Sequence, residues 1–164
     1  MSEVNTGKVA NRRKLRWERL DETVADAAAL AEAAAENRLT QLGNWTLGQA
    51  CAHVAYWAER PFEGYPDSVN PPWFMKLFMR LGKPLLFAKG MPTGMRLPGV
   101  PGGTLGQDNM PPGEAVERLR AAFAKIDADC PPDPNPLFGP MSHDQWRKLN
   151  LRHAELHLSF FRFE

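Results

Sequence analysis

Residues 142–161 have the sequence SHDQWRKLNLRHAELHLSFF, which predicts a long helix and decides the fold. The stretch opens on a capping box, in which Ser142 accepts a hydrogen bond from the Gln145 backbone N–H and Gln145 reaches back to the Ser142 amide. Apolar residues then recur at helical spacing, and His153 and His157 lie on the same apolar stripe. Because residues four positions apart stack on one helix face, these two imidazoles can present ring nitrogens to one point.

The composition of the chain excludes several classes of protein. Its 164 residues predict one domain that is long enough to bury a core. The formal net charge of +1 gives no overall field for nucleic acid or an anionic membrane, so neither is an expected partner. Two cysteines, Cys51 and Cys130, without a Cys-x-x-Cys motif imply no disulfide framework. With no secretory pattern and no apolar run that could span a bilayer, we expect a cytoplasmic protein.

Three more long helices are predicted upstream of the final one. They cover roughly residues 21–38, 46–60 and 111–129, and residues 39–44 are expected to form a turn. The second helix opens on a capping box of Thr46 and Gln49 and is expected to stop at Pro61. The third has proline in its first turn. Four long helices predict an all-α fold, a four-helix bundle.

The chain divides into a lead-in and one domain. We expect residues 1–18 to form an N-terminal tail or extended lead-in and residues 19–164 to form the bundle. The basic cluster of the lead-in is interpreted as solvated rather than as a nucleic-acid surface, because Trp17 is its only aromatic residue. Residues 61–112 are expected to form an insertion that covers the bundle, and a link of this length permits a crossover connection.

The insertion itself is predicted in pieces. Residues 73–81 fit a short amphipathic helix that Gly82 and Pro84 end, followed by a helical turn at 85–87 and a Gly/Pro-rich loop at 90–106. A helix lying on a membrane surface is the alternative to a packed cover. We favour the cover, because basic residues in the segment are few.

A third histidine lies on the inward face of another helix. His53 shares an apolar stripe of the second helix with Trp57. Neutral imidazole is a common ligand of Zn²⁺, Ni²⁺ and Fe²⁺, and three protein ligands leave a position for water or substrate. His53, His153 and His157 are therefore candidate metal ligands. The alternative is that they are hydrogen-bonded core residues.

One familiar zinc motif is absent. The pattern His153-Ala154-Glu155-Leu156-His157 differs from His-Glu-x-x-His because its glutamate stands one place later. At about 100° per residue, Glu155 lies on the opposite side of the helix from both histidines. The sequence therefore does not predict a zinc protease of that type.

Two stretches of the chain resemble a known superfamily. Residues 45–54, WTLGQACAHV, resemble the second-helix motif of the DinB/YfiT-like metalloenzymes. Residues 143–146, HDQW, followed by Asn150 and the two histidines of the last helix, resemble their last-helix motif. The segments RRKLRW at 12–17 and MPTGMRLP at 91–98 resemble an uncharacterised bacterial branch of that superfamily.

The resemblance implies a four-helix bundle in which His53, His153 and His157 bind a divalent metal. The superfamily includes transferases that depend on a low-molecular-weight thiol, bacillithiol or mycothiol, and a maleylpyruvate isomerase. In such chemistry the metal lowers the pKa of a thiol or water and orients it. The expected function is thus a metal-dependent transferase or hydrolase acting on a small molecule, with a thiol as a candidate cosubstrate.

Three further residues are candidates for substrate binding. Asn150 lies one turn before His153 and either lines the site or makes an interhelical hydrogen bond. Arg96, in the loop, either meets an anionic substrate or is solvated. Trp57 shares the His53 face. A non-catalytic binding or dimerisation module, with structural histidines or a structural metal, is the alternative function, and a homodimer is the oligomeric state that we consider.

Overall fold

The computed structural model describes residues 4–98 and 100–163, which form a mostly helical protein with a very small sheet. The helices are α1 (Leu20–Ala35), α2 (Leu47–Glu63), α3 (Trp73–Lys89), α4 (Pro112–Ala128) and α5 (His143–Leu158), and the strands are β1 (Leu39–Gln41) and β2 (Phe161–Phe163). The predicted helical class is confirmed. None of the helices in these residues is long and apolar enough to cross a membrane.

Local signals fix the starts of the helices. At α2, Thr46 Oγ1 accepts from Gln49 N at 3.2 Å and Gln49 Oε1 accepts from Thr46 N at 3.0 Å. At α5, Ser142 and Gln145 make the same reciprocal pair at 3.2 and 3.1 Å. Both predicted capping boxes are confirmed, and each satisfies two backbone N–H groups that would otherwise lack a partner at the helix start.

Helices that follow one another in the chain are not the ones that pack most closely together. α4 packs extensively against α2 and also against α1, and α5 contacts the same two helices, whereas α1 touches α2 little. Small residues are completely buried where these helices meet, among them Ala27, Ala55, Ala115 and Ala154. At Gly48 the chain just before α4 comes very close to α2, because a Cβ there would lie 1.9 Å from the Met110 carbonyl oxygen. The long link between α2 and α4 makes this arrangement possible.

The prediction that α2 stops at Pro61 was wrong. The helix runs through Pro61 to Glu63 and ends at Gly64, whose backbone N–H donates to the Arg60 carbonyl at 2.9 Å. Proline lacks a backbone N–H, so Pro61 removes one hydrogen bond of the helix. Because Pro61 lies in the last turn, little of the helix follows it. The added turn brings Phe62 against the core cluster, which offsets that loss.

The prediction of a broken helix in the insertion was also wrong. α3 is continuous from Trp73 to Lys89, through Gly82 and Pro84. Packing on its inner side overrides the local helix-breaking preference, because Leu86 is buried in a cluster with Trp146.

The two strands were not predicted. They lie where the sequence predicted a turn and the end of the last helix. β1 lies in the stretch expected to be a turn, and it pairs antiparallel with β2, so that Thr40 faces Arg162. α5 therefore ends at Leu158, earlier than the sequence suggested. Phe160 lies beyond the helix, where its carbonyl accepts from the Leu42 backbone N–H at 2.8 Å.

The N-terminal lead-in is held against α5. The Arg12 guanidinium donates to Ser159 Oγ at 2.6 Å and to the Leu156 carbonyl at 3.2 Å. Further along, the Trp17 backbone N–H donates to Glu155 Oε1 at 2.8 Å. These contacts fix the lead-in along the helix that carries two of the candidate ligands. The division into a tail and one domain stays a prediction.

Candidate metal centre

Two helices bring three imidazoles together. His53 lies in α2, and His153 and His157 lie one turn apart in α5. His153 Nε2 is 3.1 Å from His53 Nε2 and 3.1 Å from His157 Nε2. One ligand atom from each of the three lies within 4.8 Å of the others, so the group could hold a metal ion. All three of the predicted ligands are thus in one cluster.

A backbone carbonyl sets the orientation of the first ring. His53 Nδ1 lies 2.6 Å from the Leu105 carbonyl oxygen, and Thr104 Oγ1 is 3.4 Å from the same nitrogen. A carbonyl oxygen only accepts, so Nδ1 carries the proton and donates it. The lone pair of His53 is therefore on Nε2, the atom that faces the other two rings. A hydrogen bond from the other ring nitrogen to a backbone carbonyl is the kind of contact that orients metal-ligating histidines.

All three histidines are neutral at physiological pH. Burial lowers the pKa of His53 to about 4, although its hydrogen bond to Leu105 opposes the shift. Burial lowers the pKa of His153 well below its usual value, and the nearby His53 adds to this effect. The pKa of His157 is lowered well below its usual value by the same two causes, with His153 and Arg12 contributing. Neutral imidazole is the form that binds a metal.

The protons available within the cluster cannot satisfy its close contacts. His53 Nε2 can only accept, so His153 Nε2–H can donate to it, but His153 Nε2 then has no lone pair with which to accept from His157. At most one of the two 3.1 Å contacts is therefore a good hydrogen bond. Tetrahedral ligands at a Zn–N distance of about 2.0–2.1 Å would lie about 3.3 Å apart, close to the two 3.1 Å distances from His153 Nε2. The three residues fit a divalent ion.

Aromatic side chains frame the cluster. Trp45 stacks on His157 with ring centroids 5.1 Å apart and planes inclined by 8°, and it lies 4.8 Å from the His53 ring. Trp57 meets His53 edge-on at 6.3 Å. The sequence placed Trp45 only at the start of α2 and missed its contact with α5. Nothing local indicates that contact, because His157 is more than a hundred positions away.

The cluster opens into a cavity of about 400 Å³. All three predicted substrate-binding residues, Trp57, Asn150 and Arg96, line this cavity. Asn150 is buried and donates from Nδ2 to the Trp146 carbonyl at 2.9 Å, so its hydrogen bond lies within α5 instead of between helices. Arg96 lies at an exposed position in the loop. Their role in binding a substrate stays a prediction.

No carboxylate of the described residues lines the cavity. Glu155 instead pairs with Arg152, whose Nη1 lies 2.6 Å from Oε1, and both side chains are almost completely buried. This pair lies on the side of α5 that faces the lead-in, because Glu155 also binds the Trp17 backbone. The geometry agrees with the expectation that Glu155 does not serve the histidine cluster.

The loop that reaches His53 was not predicted as part of the site. Gly106 has φ of +79°, and a Cβ there would lie 2.4 Å from Cγ of Tyr56 in α2. Only glycine combines this backbone conformation with so close an approach. The run of glycines at 102, 103 and 106 was the available signal, since it marks a chain that must pass close to a neighbour.

Two other candidates lie outside the cluster. His143 Nε2 donates to the Ile126 carbonyl at 2.6 Å, where α5 begins beside the end of α4. Cys51 is completely buried in the core, and burial raises the pKa of its thiol to about 12. Neither side chain belongs to the histidine cluster.

Comparison with known proteins identifies a family without a described activity. No curated protein and no solved structure matches the chain. The profile of the family described as "Protein of unknown function (DUF1569)" matches residues 9–164, nearly the entire sequence, and the chain therefore belongs to the DUF1569 family.

Proposed function

We propose that this protein is a divalent-metal-dependent enzyme in which His53, His153 and His157 bind the ion. The observation that carries the proposal is the convergence of three neutral imidazoles at a cavity of about 400 Å³, with His153 Nε2 3.1 Å from the Nε2 atom of each of the other two. Within the part of the chain that the structure describes, the group has three members, which leaves a coordination position for another molecule.

The packing of the helices supports a relation to the DinB/YfiT-like superfamily. In our proposal α1, α2, α4 and α5 form a four-helix bundle of that type, with α3 in the insertion. The contacts of α4 and α5 with both earlier helices support this proposal. A cytoplasmic location is part of the same proposal.

The chain's own residues prepare the site. Leu105 holds the proton of His53 on Nδ1, and Trp45 stacks on His157, so both rings are oriented before anything binds. Zn²⁺, Ni²⁺ or Fe²⁺ held there would act as a Lewis acid that lowers the pKa of a thiol or a water molecule. A thiol-dependent transfer or a hydrolysis is the reaction class that we propose.

The cavity wall indicates the kind of substrate. Trp57 and other apolar side chains form much of the wall, and Arg96 is the cation that reaches it. With no lining carboxylate among the described residues, a cationic substrate would find no counter-charge. We therefore propose a small molecule that is neutral or anionic and has an apolar part.

Metal analysis of purified variants tests the proposal. We expect the wild type, after it is supplied with Zn²⁺, Ni²⁺ or Fe²⁺ and desalted, to retain about one ion per chain. His153→Ala should lose it, since this ring contacts both others, while His143→Ala should retain it as the matched control. A wild-type protein that stays metal-free under every condition would eliminate the proposal.

The alternative is a non-catalytic binding or dimerisation module with a structural metal. Such a site normally has four protein ligands and no open position. X-ray absorption spectroscopy of the loaded protein distinguishes the two. A first shell of three imidazoles and one exchangeable oxygen or sulfur supports the enzyme, whereas four protein donors support the module.

A further inference from the structure

The outer face of α3 is apolar and uncovered. Six large apolar side chains of this helix are between half and three-quarters exposed: Trp73 75%, Phe74 59%, Leu77 50%, Phe78 74%, Leu81 75% and Leu85 58%. At about 100° per residue they fill one continuous arc of about 140° on the helix. Together they expose on the order of several hundred Å², more than a monomer ordinarily leaves uncovered without a function.

The orientation of α3 is fixed, so this face cannot turn inward. On the opposite side, Leu86 is buried against the cluster that contains Trp146, and Met79 lines the metal cavity. Lys83 Nζ donates to the carbonyls of Phe138 and Pro140, both at 3.3 Å. The exposed arc is therefore on the side of α3 that faces away from these contacts.

The charged residues of the segment that contains α3 have one sign. Between Asp67 and Asp108 the chain has no acidic residue, and its five basic residues there are Lys76, Arg80, Lys83, Lys89 and Arg96. Elsewhere acidic residues outnumber basic ones, although the whole chain has a net charge of only +1. On the helix, Lys76 and Arg80 border one edge of the arc, and Lys89 borders the other. A partner for this face must be both apolar and anionic.

We propose that the outer face of α3 docks on the surface of an anionic lipid bilayer. Aromatic and leucine side chains would enter the boundary between headgroups and acyl chains, while the bordering cations would meet lipid phosphates. A groove of about 170 Å³ between α3 and the following loop, lined by Phe78, Leu85 and Met95, extends the apolar surface. A second copy fits less well, because pairing two such faces brings the cations of the two segments together, and neither segment contains a carboxylate to separate them.

This inference reverses an expectation from sequence. The overall charge and the small number of cations favoured a packed cover and no membrane partner. The sequence did not show that six large apolar side chains stay exposed, nor that the cations border them. The docking surface is independent of the metal centre, and the proposed function does not require it.

Vesicle co-sedimentation of the full chain tests the proposal. We expect strong binding to phosphatidylcholine vesicles that contain about 30% phosphatidylglycerol, weak binding to pure phosphatidylcholine, and loss of binding as salt rises from about 0.1 to about 0.5 M. Phe78→Ser combined with Leu81→Ser should abolish binding. Lys76→Gln combined with Arg80→Gln should weaken it roughly tenfold or more.

A matched control separates this face from general hydrophobicity. Phe163→Ser removes an exposed aromatic ring outside α3, 43% exposed, and should leave binding unchanged. Because the substituted α3 residues are exposed, their variants should keep the wild-type circular dichroism spectrum and metal content. Absence of wild-type binding to anionic vesicles, or equal binding by the α3 variants, would overturn the proposal. So would a wild-type dimer in sedimentation equilibrium that Phe78→Ser with Leu81→Ser converts to monomer without any effect on vesicle binding.

Discussion

Removing the carboxylate of Glu155 should strongly destabilise the protein. Glu155 accepts from Arg152 Nη1 at 2.6 and 2.7 Å and from the Trp17 backbone at 2.8 Å. The side chains of the ion pair are only 5% and 8% exposed. Glu155→Ala would leave a buried guanidinium with the Trp17 carbonyl as its remaining hydrogen-bond partner. Breaking one side of such a pair lowers the free energy of unfolding by about 3–5 kcal/mol.

Urea unfolding followed by circular dichroism measures this change. An exposed pair on α4, Glu117 with Arg120, provides the control, since its side chains are 67% and 52% exposed. Glu117→Ala should change the free energy of unfolding by at most about 1 kcal/mol. Replacing both members of the buried pair, Glu155→Leu with Arg152→Met, should cost less than Glu155→Ala alone, because no charge is left buried. Equal effects of Glu155→Ala and Glu117→Ala would refute the reasoning.

Three further predictions concern the site and its surroundings. Because burial lowers the pKa of His53 from 6.5 to about 4, the unfolded chain binds more protons in that range. The metal-free protein should therefore lose up to about 3 kcal/mol of stability through this residue as pH falls from 6.5 to 4, and urea unfolding of His53→Gln should show a shallower pH dependence. Gly48→Ala should prevent stable folding or lower the melting temperature sharply, since its Cβ would meet a backbone carbonyl at 1.9 Å; Gly113→Ala, with nothing within 4 Å, should raise stability by about 0.5–1 kcal/mol. In a thiol-labelling assay on the native protein, exposed Cys130 should react and buried Cys51 should not, and rapid labelling of Cys51 would contradict the burial described.

Features that depend on neighbouring residues were predictable from the sequence. Both capping boxes and the starts of α2, α4 and α5 follow from short patterns that act within one helical turn. The pair His153 and His157 follows from helical spacing alone. The helical spacing also placed His53 on the inward face of α2. Because the inward faces of α2 and α5 were expected to share one core, His53 could be predicted to lie near His153 and His157.

Features that depend on distant residues could not be predicted in the same way. β1 forms because residues more than a hundred positions away supply its partner strand, and each strand is only three residues long. Gly82 and Pro84 break most helices, but the packing of Leu86 on the α5 side keeps α3 continuous. The Leu105 carbonyl that orients His53 belongs to a backbone, so no side-chain pattern could mark it.

The order in which the helices pack has a consequence for how the chain folds. The main partners of α1 and α2 are α4 and α5, so the first two helices gain little by pairing with each other. A hairpin of consecutive helices therefore cannot act as a stable early unit, and an isolated fragment ending near residue 63 would leave its apolar stripes in water. Most stabilising contacts close long loops, which raises the contact order and slows folding compared with bundles of sequential hairpins. We expect refolding to be cooperative and slow for a helical protein of this size.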